Sequence, residues 1–400
     1  MKIIPFKGIL YDTKKVGLKD VITLPYDKIS KAKKAEYEQK SPYNMVHLVL
    51  PRSNKIASAL FHGWLGEGIL KQDNEEAFYV YEEEFEYPKG VKKVRRGFVG
   101  LLEVKPFARD TIMPHERTFP KVVDDRMDLL DRCRANIEQI FVLFNGKNIN
   151  DLLKGESVYE LKDEFGITHR IAAIKDKAVI SAIQGHICKA QLFIADGHHR
   201  YTASLMYSEK AKDVPGANYI MVTFVDSDDP GLTILPTHRV LKEVPNFDNG
   251  KFLKELEKYF VVEKGRKLES KSQNSFGVVL GDNEYYTIKL KTDVSLEKIL
   301  NISKPRTWLY LDVNVLHLLI MKHIMVMDTS TMEEEGNIVY VREEDEVLGM
   351  IKNKQARIAF ILNPTKIQEV KDIVGVGDVM PHKSTDFYPK LHSGFVMRKF

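Results

Sequence analysis

Only 2 of the 400 residues are cysteine, Cys133 and Cys188, and they stand at no metal-ligand spacing. Neither a thiolate metal centre nor an oxidised, disulfide-stapled setting is indicated. The opening MKIIPFKGIL lacks the long apolar stretch and small-residue cleavage site of a signal peptide, so a reduced, cytoplasmic protein is expected. No run of about 18 apolar residues is present. The nearest, Val315 to Met327, is interrupted by His317, Lys322 and His323 and reads as a buried helix. An excess of one charge is missing as well: 60 Lys and Arg against 56 Asp and Glu leave +4. That balance gives no reason to expect a nucleic-acid or membrane partner. There is also no internal repeat and no low-complexity linker.

What is present is enough apolar side chain for sizeable cores, 44% of the residues, in a length that suits two or three domains. Strand and helix patterns alternate. Ile3 to Leu10 reads as a strand, Ile29 to Lys40 as a helix, Met45 to Leu50 as a strand and Lys55 to Glu67 as a helix. Ala77 to Phe85 and Lys93 to Val104 form a long hairpin across Pro88-Lys89-Gly90, its acidic Glu82–Glu86 and basic Lys92–Arg96 expected to be a solvated charged surface. Val122 to Gln139 reads as a long helix, Ile140 to Phe144 and Tyr219 to Asp226 as strands. Beyond a boundary near Pro245, Phe252 to Tyr259 looks helical, and Phe276–Leu280 pairs with Tyr285–Leu290 across Gly281-Asp282-Asn283. The expected class is α/β, mixed α+β: a core over 1–244, an appended smaller α/β unit over 245–374, and a segment 375–400 returning to the core.

The most informative stretch is QLFIADGHHRYTASLMY, residues 191–207. Gln191 to Ala195 reads as a buried strand, Gly197 permits a sharp reversal, and Tyr201 with Leu205 begin an i, i+4 apolar stripe. A loop of this kind opens a helix, where free N–H groups and the dipole attract anions. His198, His199 and Arg200 add donors for a phosphate, and Asp196 suits a magnesium ion or a substrate hydroxyl. The plainer alternative, Asp196 as a helix cap and Arg200 paired on the surface, accounts for fewer of the four polar groups. With one glycine and no following Gly-Lys-Ser/Thr, the loop is not a P-loop.

Three further segments gather polar side chains. Pro114-His115-Glu116-Arg117-Thr118 puts His115 and Glu116 ahead of a helix, either lining a cleft or simply leading into a capped, charged helix. It is not a zincin, because position 119 is Phe. Adjacent His198 and His199 cannot easily share a metal, and His47, His62, His169, His186 and His238 offer no i, i+4 pair. Leu235-Pro236-Thr237-His238-Arg239 supplies a His-Arg pair that a solvated edge loop explains equally well. Gly377 to Ser384 imitates Walker A spacing, but Pro381 and the following TDFYPKLHSG preclude the helix; Lys383 and Ser384 are retained as loop contacts to phosphate.

Together PYD at 25–27, SPYNMVHLVLP at 41–51, PHERT, ADGHHRY, LPTHR and MPHKSTDFYPK resemble the family of unknown function designated DUF1015, over nearly the whole chain. That resemblance implies only that these motifs gather in one cleft. More distantly, Gly197 to Ala203 is similar to the phosphate-binding box of the ParB and sulfiredoxin superfamily, and closest to the Asp-Gly-His-x-Arg loop of its free serine kinases. This likeness implies a ParB/sulfiredoxin-like core in which Gly197, His198, His199 and Arg200 hold nucleotide phosphates and Asp196 serves magnesium or the acceptor. The sulfiredoxin cysteine is replaced by His198, and no DNA-partitioning helix-turn-helix is evident. The expected function is a phosphotransferase using ATP or ADP with magnesium on a small hydroxyl-bearing metabolite. Asp196, His198 and Glu116 are its expected catalytic groups, with His115, His238 and Arg239 as further cleft residues. The alternatives are a non-catalytic nucleotide sensor, a phosphoester hydrolase acting through His198 or His199, and a scaffold.

Overall fold

In a computed structural model, successive residues of the strand Phe78–Glu86 go to opposite faces of one sheet. Tyr79 and Tyr81 join one buried cluster, Phe78 and Val80 another, and the same alternation separates Val99 from Phe98 on the neighbouring strand Lys92–Glu103. A sheet with apolar residues on both faces must be covered on both. Asn54–Gly66 and Pro120–Cys133 supply Phe61, Trp64 and Leu129 to the first cluster. Lys177–Ile187 and His198–Lys210 supply Ile183, Ile187 and Tyr201 to the second.

The structure describes residues 1–146, 149–265, 272–281, 284–334 and 336–400. It divides into two units, Met1–Thr233 with Phe387–Phe400, and Ile234–Asp386. Among the described residues the first unit holds a nine-stranded mixed sheet. Its order is Ile112–Met113, Gln191–Asp196, Ile140–Asn145, Tyr219–Asp226, Lys92–Glu103, Phe78–Glu86, Thr168–Ile174, Glu156–Lys162, with Ile3–Ile4 beside Lys92–Glu103. Gln191–Asp196 runs antiparallel to Ile140–Asn145, which itself lies parallel to Tyr219–Asp226. The α/β class expected from the sequence is the class observed.

Four local expectations are corrected. Ile3 to Leu10 is not one strand: it is broken at Pro5, which has no N–H to give a ladder, into Ile3–Ile4 and Ile9–Tyr11. Met45 to Leu50 is helical over Val46–Val49, because the Asn44 side chain accepts from Val46 N at 2.9 Å and starts a turn that an apolar run alone does not reveal. The helix expected over Val122 to Gln139 spans Pro120–Cys133 and stops where Arg134 adopts φ 49°. The charged hairpin is only partly solvated. Glu83 and Arg95 are cross-strand partners whose side chains point inward, 2% and 1% exposed, whereas Glu82 and Arg96, one residue along on each strand, point out.

The second unit has its own sheet, in the order Phe260–Lys264, Glu284–Leu290, Ser275–Leu280, Ile358–Ile361, His238–Leu241, Ile338–Val341. The expected hairpin is there, while Asp282 and Asn283 of its turn lie outside the described residues. The apolar stretch from Val315 forms the helix Val315–Ile324, which is shorter than expected and closes with Met325 N bonded five residues back to Ile320 O at 2.9 Å. His238 and Arg239 do not occupy a solvated edge loop: His238–Leu241 is an inner, buried strand. No helix among the described residues is long and apolar enough to cross a membrane.

Candidate functional site

Gly197 turns the chain from the strand Gln191–Asp196 into the helix His198–Lys210 with φ 95°. A Cβ there would stand 2.7 Å from Ile140 Cγ2, so both the backbone and the space demand glycine. The turn places Asp196 at the strand's end and the next three side chains around the first turn of the helix, where backbone N–H groups have no helical partner.

Asp196 does not cap the helix. Its Oδ2 receives Lys390 Nζ at 3.2 Å and its Oδ1 faces Arg200 at 3.7 Å. Burial disfavours the carboxylate, but Lys390, Arg200 and Lys28 outweigh it and hold the group well below the usual carboxylate range. Arg200 donates from NH1 to Gln139 O at 2.5 Å, and its Nε is buried with no hydrogen-bond partner. Tyr26 packs under two guanidinium groups, 5.9 Å from that of Arg200 and 4.5 Å from that of Arg126. Glu138 accepts from Tyr26 N at 3.2 Å and from Ser393 Oγ at 2.6 Å, tying the PYD segment to the last part of the chain. Pro25, Gln139, Asp196, Arg200, Pro389 and Lys390 line one cavity.

The two histidines are fixed by the 114–119 segment. His115 N donates to His198 Nε2 at 3.2 Å, and Phe119 N donates to His199 Nε2 at 3.0 Å. Because both donors are backbone N–H groups, each Nε2 must be the acceptor. Each neutral ring therefore carries its proton on Nδ1. For His198 that proton faces Glu116 Oε2 at 3.7 Å. His115 in turn donates Nδ1–H to Ile194 O at 2.6 Å, since a carbonyl can only accept. The rings of His115 and His198 meet edge to face at 4.5 Å, and His199 stacks on Phe119 at 5.8 Å. Burial above all keeps these rings neutral: His198 is pushed well below the ordinary histidine value, His199 downward, and His115 down to about 4.

A pH dependence follows. The unfolded His115 takes its proton near pH 6.5 and the folded one only near 4, so between these values the unfolded chain binds more protons and acid favours it. Stability is retained above about pH 6.5 and falls by up to about 1.4 kcal/mol per pH unit as acid approaches 4. Urea unfolding at pH 7 and pH 5 measures this, and His115→Gln should shrink the difference, the rest coming from His198 and His199; an unaltered difference would refute the assignment.

Of the residues expected from the sequence, His115, Glu116, Asp196, Gly197, His198, His199 and Arg200 lie in the first unit and are brought together there. His238, Arg239, Lys383 and Ser384 lie in the second unit. Arg239, 1% exposed, donates to Thr237 O and, at 2.9 Å, to Lys383 O; its guanidinium lies 5.3 Å from the Tyr340 ring. His238 Nδ1 accepts from Leu362 N at 3.1 Å, and Ser384 Oγ donates to Pro381 O at 2.6 Å. Sequence reasoning assigned no role to Lys390 or Tyr26, although they lie in the quoted MPHKSTDFYPK and PYD motifs, and it missed Glu138 and Gln139, which carry no recognisable spacing.

Against known families, residues 3–314 match the model described as "Protein of unknown function (DUF1015)". The chain belongs to this family. No curated protein matches the DUF1015 chain. Among solved structures, it is similar to a conserved hypothetical protein from Pyrococcus furiosus, at 15% identity over 74% of this chain and 97% of the other, with a TM-score of 0.36. It is also similar to a mutant free serine kinase in complex with ADP, at 16% identity over 76% and 91%, TM-score 0.38. A C-terminally truncated SbnI from Staphylococcus aureus is similar at 14% identity over 73% and 84%, TM-score 0.36.

Proposed function

We propose that the first unit is a nucleotide-dependent phosphotransferase acting on a small hydroxyl-bearing metabolite, built on a phosphate-binding core of the ParB/sulfiredoxin type. One observation carries the reading: the Asp196 carboxyl stands between Lys390 and Arg200 immediately before a helix that starts on a left-handed glycine. Phosphoryl transfer needs little covalent help from a protein and much positioning and charge neutralisation. Arg200, Lys390 and the first N–H groups of the helix suit phosphoryl oxygens. Asp196 is too weak a base at neutral pH to do more than orient a hydroxyl or hold magnesium, whose chemistry would be to neutralise phosphate charge. Glu116, whose Oε2 lies 3.7 Å from Nδ1 of His198, is the carboxylate we assign to the acceptor's proton.

A sensor without turnover is the second reading. The Nε2 atoms of His198 and His199 already accept backbone N–H groups, which supports a site that binds without a strong base. The same feature weighs against a hydrolase in which either histidine attacks phosphorus. A thermal-shift series with AMP, ADP and ATP, each with and without magnesium, tests the common element of both leading readings. Ligand at about 100 times its Kd adds roughly 2.7 kcal/mol to the folded state, so the melting temperature should rise. Nucleotide that shifts melting and donates phosphate to free serine or another small alcohol supports the transferase, and a shift without turnover supports the sensor. No shift with any nucleotide sinks both.

A further inference from the structure

We propose that Asp163, His169 and His392, in the first unit, bind a divalent transition-metal ion of the zinc class. One ligand atom from each lies within 4.8 Å of the other two. His169 Nε2 and His392 Nε2 both approach a single oxygen, Asp163 Oδ2, at 3.2 and 3.3 Å. Those separations match the roughly 3.3 Å between neighbouring ligands of a tetrahedral ion bound at about 2.05 Å. The carboxylate is held for this: its other oxygen, Oδ1, accepts from Phe165 N and Ile167 N, both at 2.8 Å.

Hydrogen-bond counting leaves a neutral His392 one proton short. His392 Nδ1 faces Lys390 O at 3.2 Å, an oxygen that can only accept, while its Nε2 faces the Asp163 carboxylate, which also only accepts when ionised. A neutral imidazole has one proton for these two acceptors. A cation placed among the inward atoms removes the conflict: His392 then gives Nδ1–H to the carbonyl, the outer arrangement that orients metal-bound histidines. His169 has a comparable outer partner, with Tyr81 Oη 3.0 Å and Glu83 Oε1 3.9 Å from its Nδ1. Glu83 Oε1 is buried and has no hydrogen-bond partner, so it is available to that ring's proton. Two imidazoles and one carboxylate are a borderline donor set, suited to zinc, iron(II) or cobalt(II) and ill suited to magnesium. A cavity lined by Lys19, Asp20, Tyr37, Lys40 and Glu164 reaches Asp163 and His392 and offers a way in.

The test uses the full chain, stripped with chelator and reloaded with Zn(II) or Co(II) alone. About one equivalent of zinc should remain after dialysis by elemental analysis. Cobalt should give visible ligand-field bands, and X-ray absorption of the zinc form should show two imidazoles. His392→Gln and Asp163→Asn should weaken binding by more than the roughly 10–100-fold that changes outside the ligand shell cause. His186→Gln, at an exposed helical histidine bonded to Ala182 O, should not. Failure of the stripped wild type to take up either metal would overturn the proposal, as would a zinc shell without imidazole or full retention by His392→Gln. The wild-type uptake and absorption experiments decide the matter even if a variant fails to fold.

Discussion

Glu83→Ala lowers the stability of the first unit by about 3–5 kcal/mol, the cost of leaving a buried charge without its partner. Arg95 sends Nε to Glu83 Oε2 at 2.8 Å and NH2 to the same oxygen, and its remaining contacts are Pro389 O at 2.6 Å and the face of Phe141 at 5.0 Å. Neither of these supplies a negative charge, and Asp229, whose carboxyl Arg95 also pulls downward, is a further acidic group in its reach. Burial pushes the Glu83 carboxyl upward against the pull of Arg95 and then His169, and removing the carboxylate leaves Arg95 buried without its bonded partner. The two tryptophans make the measurement selective, since Trp64 is buried in the first unit and Trp308 lies in the second. In a Trp308→Phe background, the urea transition followed by Trp64 fluorescence reports on the first unit. A double replacement, Glu83→Leu with Arg95→Met, should recover most of the loss, because an apolar pair of similar size needs no compensation. A midpoint unchanged in Glu83→Ala would show that the pair is not buried as described.

Arg200→Ala cuts the nucleotide-induced rise in melting temperature by half or more. The guanidinium sits where the helix begins, anchored through NH1 to Gln139 O and steered by Asp196. Burial works against its charge, and Glu138, Asp196 and Tyr26 restore it, so it is a fixed cation with a buried Nε still open. A hydrogen bond to a charged group is worth about 1.5–3 kcal/mol, which corresponds to roughly 10–150-fold in Kd. Calorimetric titration at one ionic strength should show that loss, and Arg200→Lys should recover only part of it, because an ammonium cannot reproduce the fork. A folded Arg200→Ala protein that binds nucleotide as tightly as the wild type would remove Arg200 from the site.

The strand, turn and helix around Asp196 to Arg200 were legible in the sequence because a short apolar run, one glycine and an i, i+4 stripe each have a single local meaning. SPYNMVHLVLP was misread because its fate turns on one side chain, Asn44, bonding Val46 N, and a period of apolar residues does not register such a bond. Arg134 ended the long helix by adopting a conformation for which a non-glycine residue gives no warning. The burial of Glu83 and Arg95 depended on register: a shift of one residue would have turned both to water. Asp163, His169 and His392 were beyond any spacing rule, since His392 comes from the far end of the chain and is brought to the others only by the fold. Lys390 reaches Asp196 by the same route.

That route has a consequence during synthesis. Phe387–Phe400 belongs to the first unit, with Phe395, Val396 and Met397 in its core, yet the ribosome makes it only after the whole of Ile234–Asp386. Until then the nascent first unit lacks Lys390 beside Asp196 and His392 beside Asp163, so neither pocket can be complete. A polypeptide released early, anywhere within the second unit, would carry the ADGHHRY loop on an unfinished core.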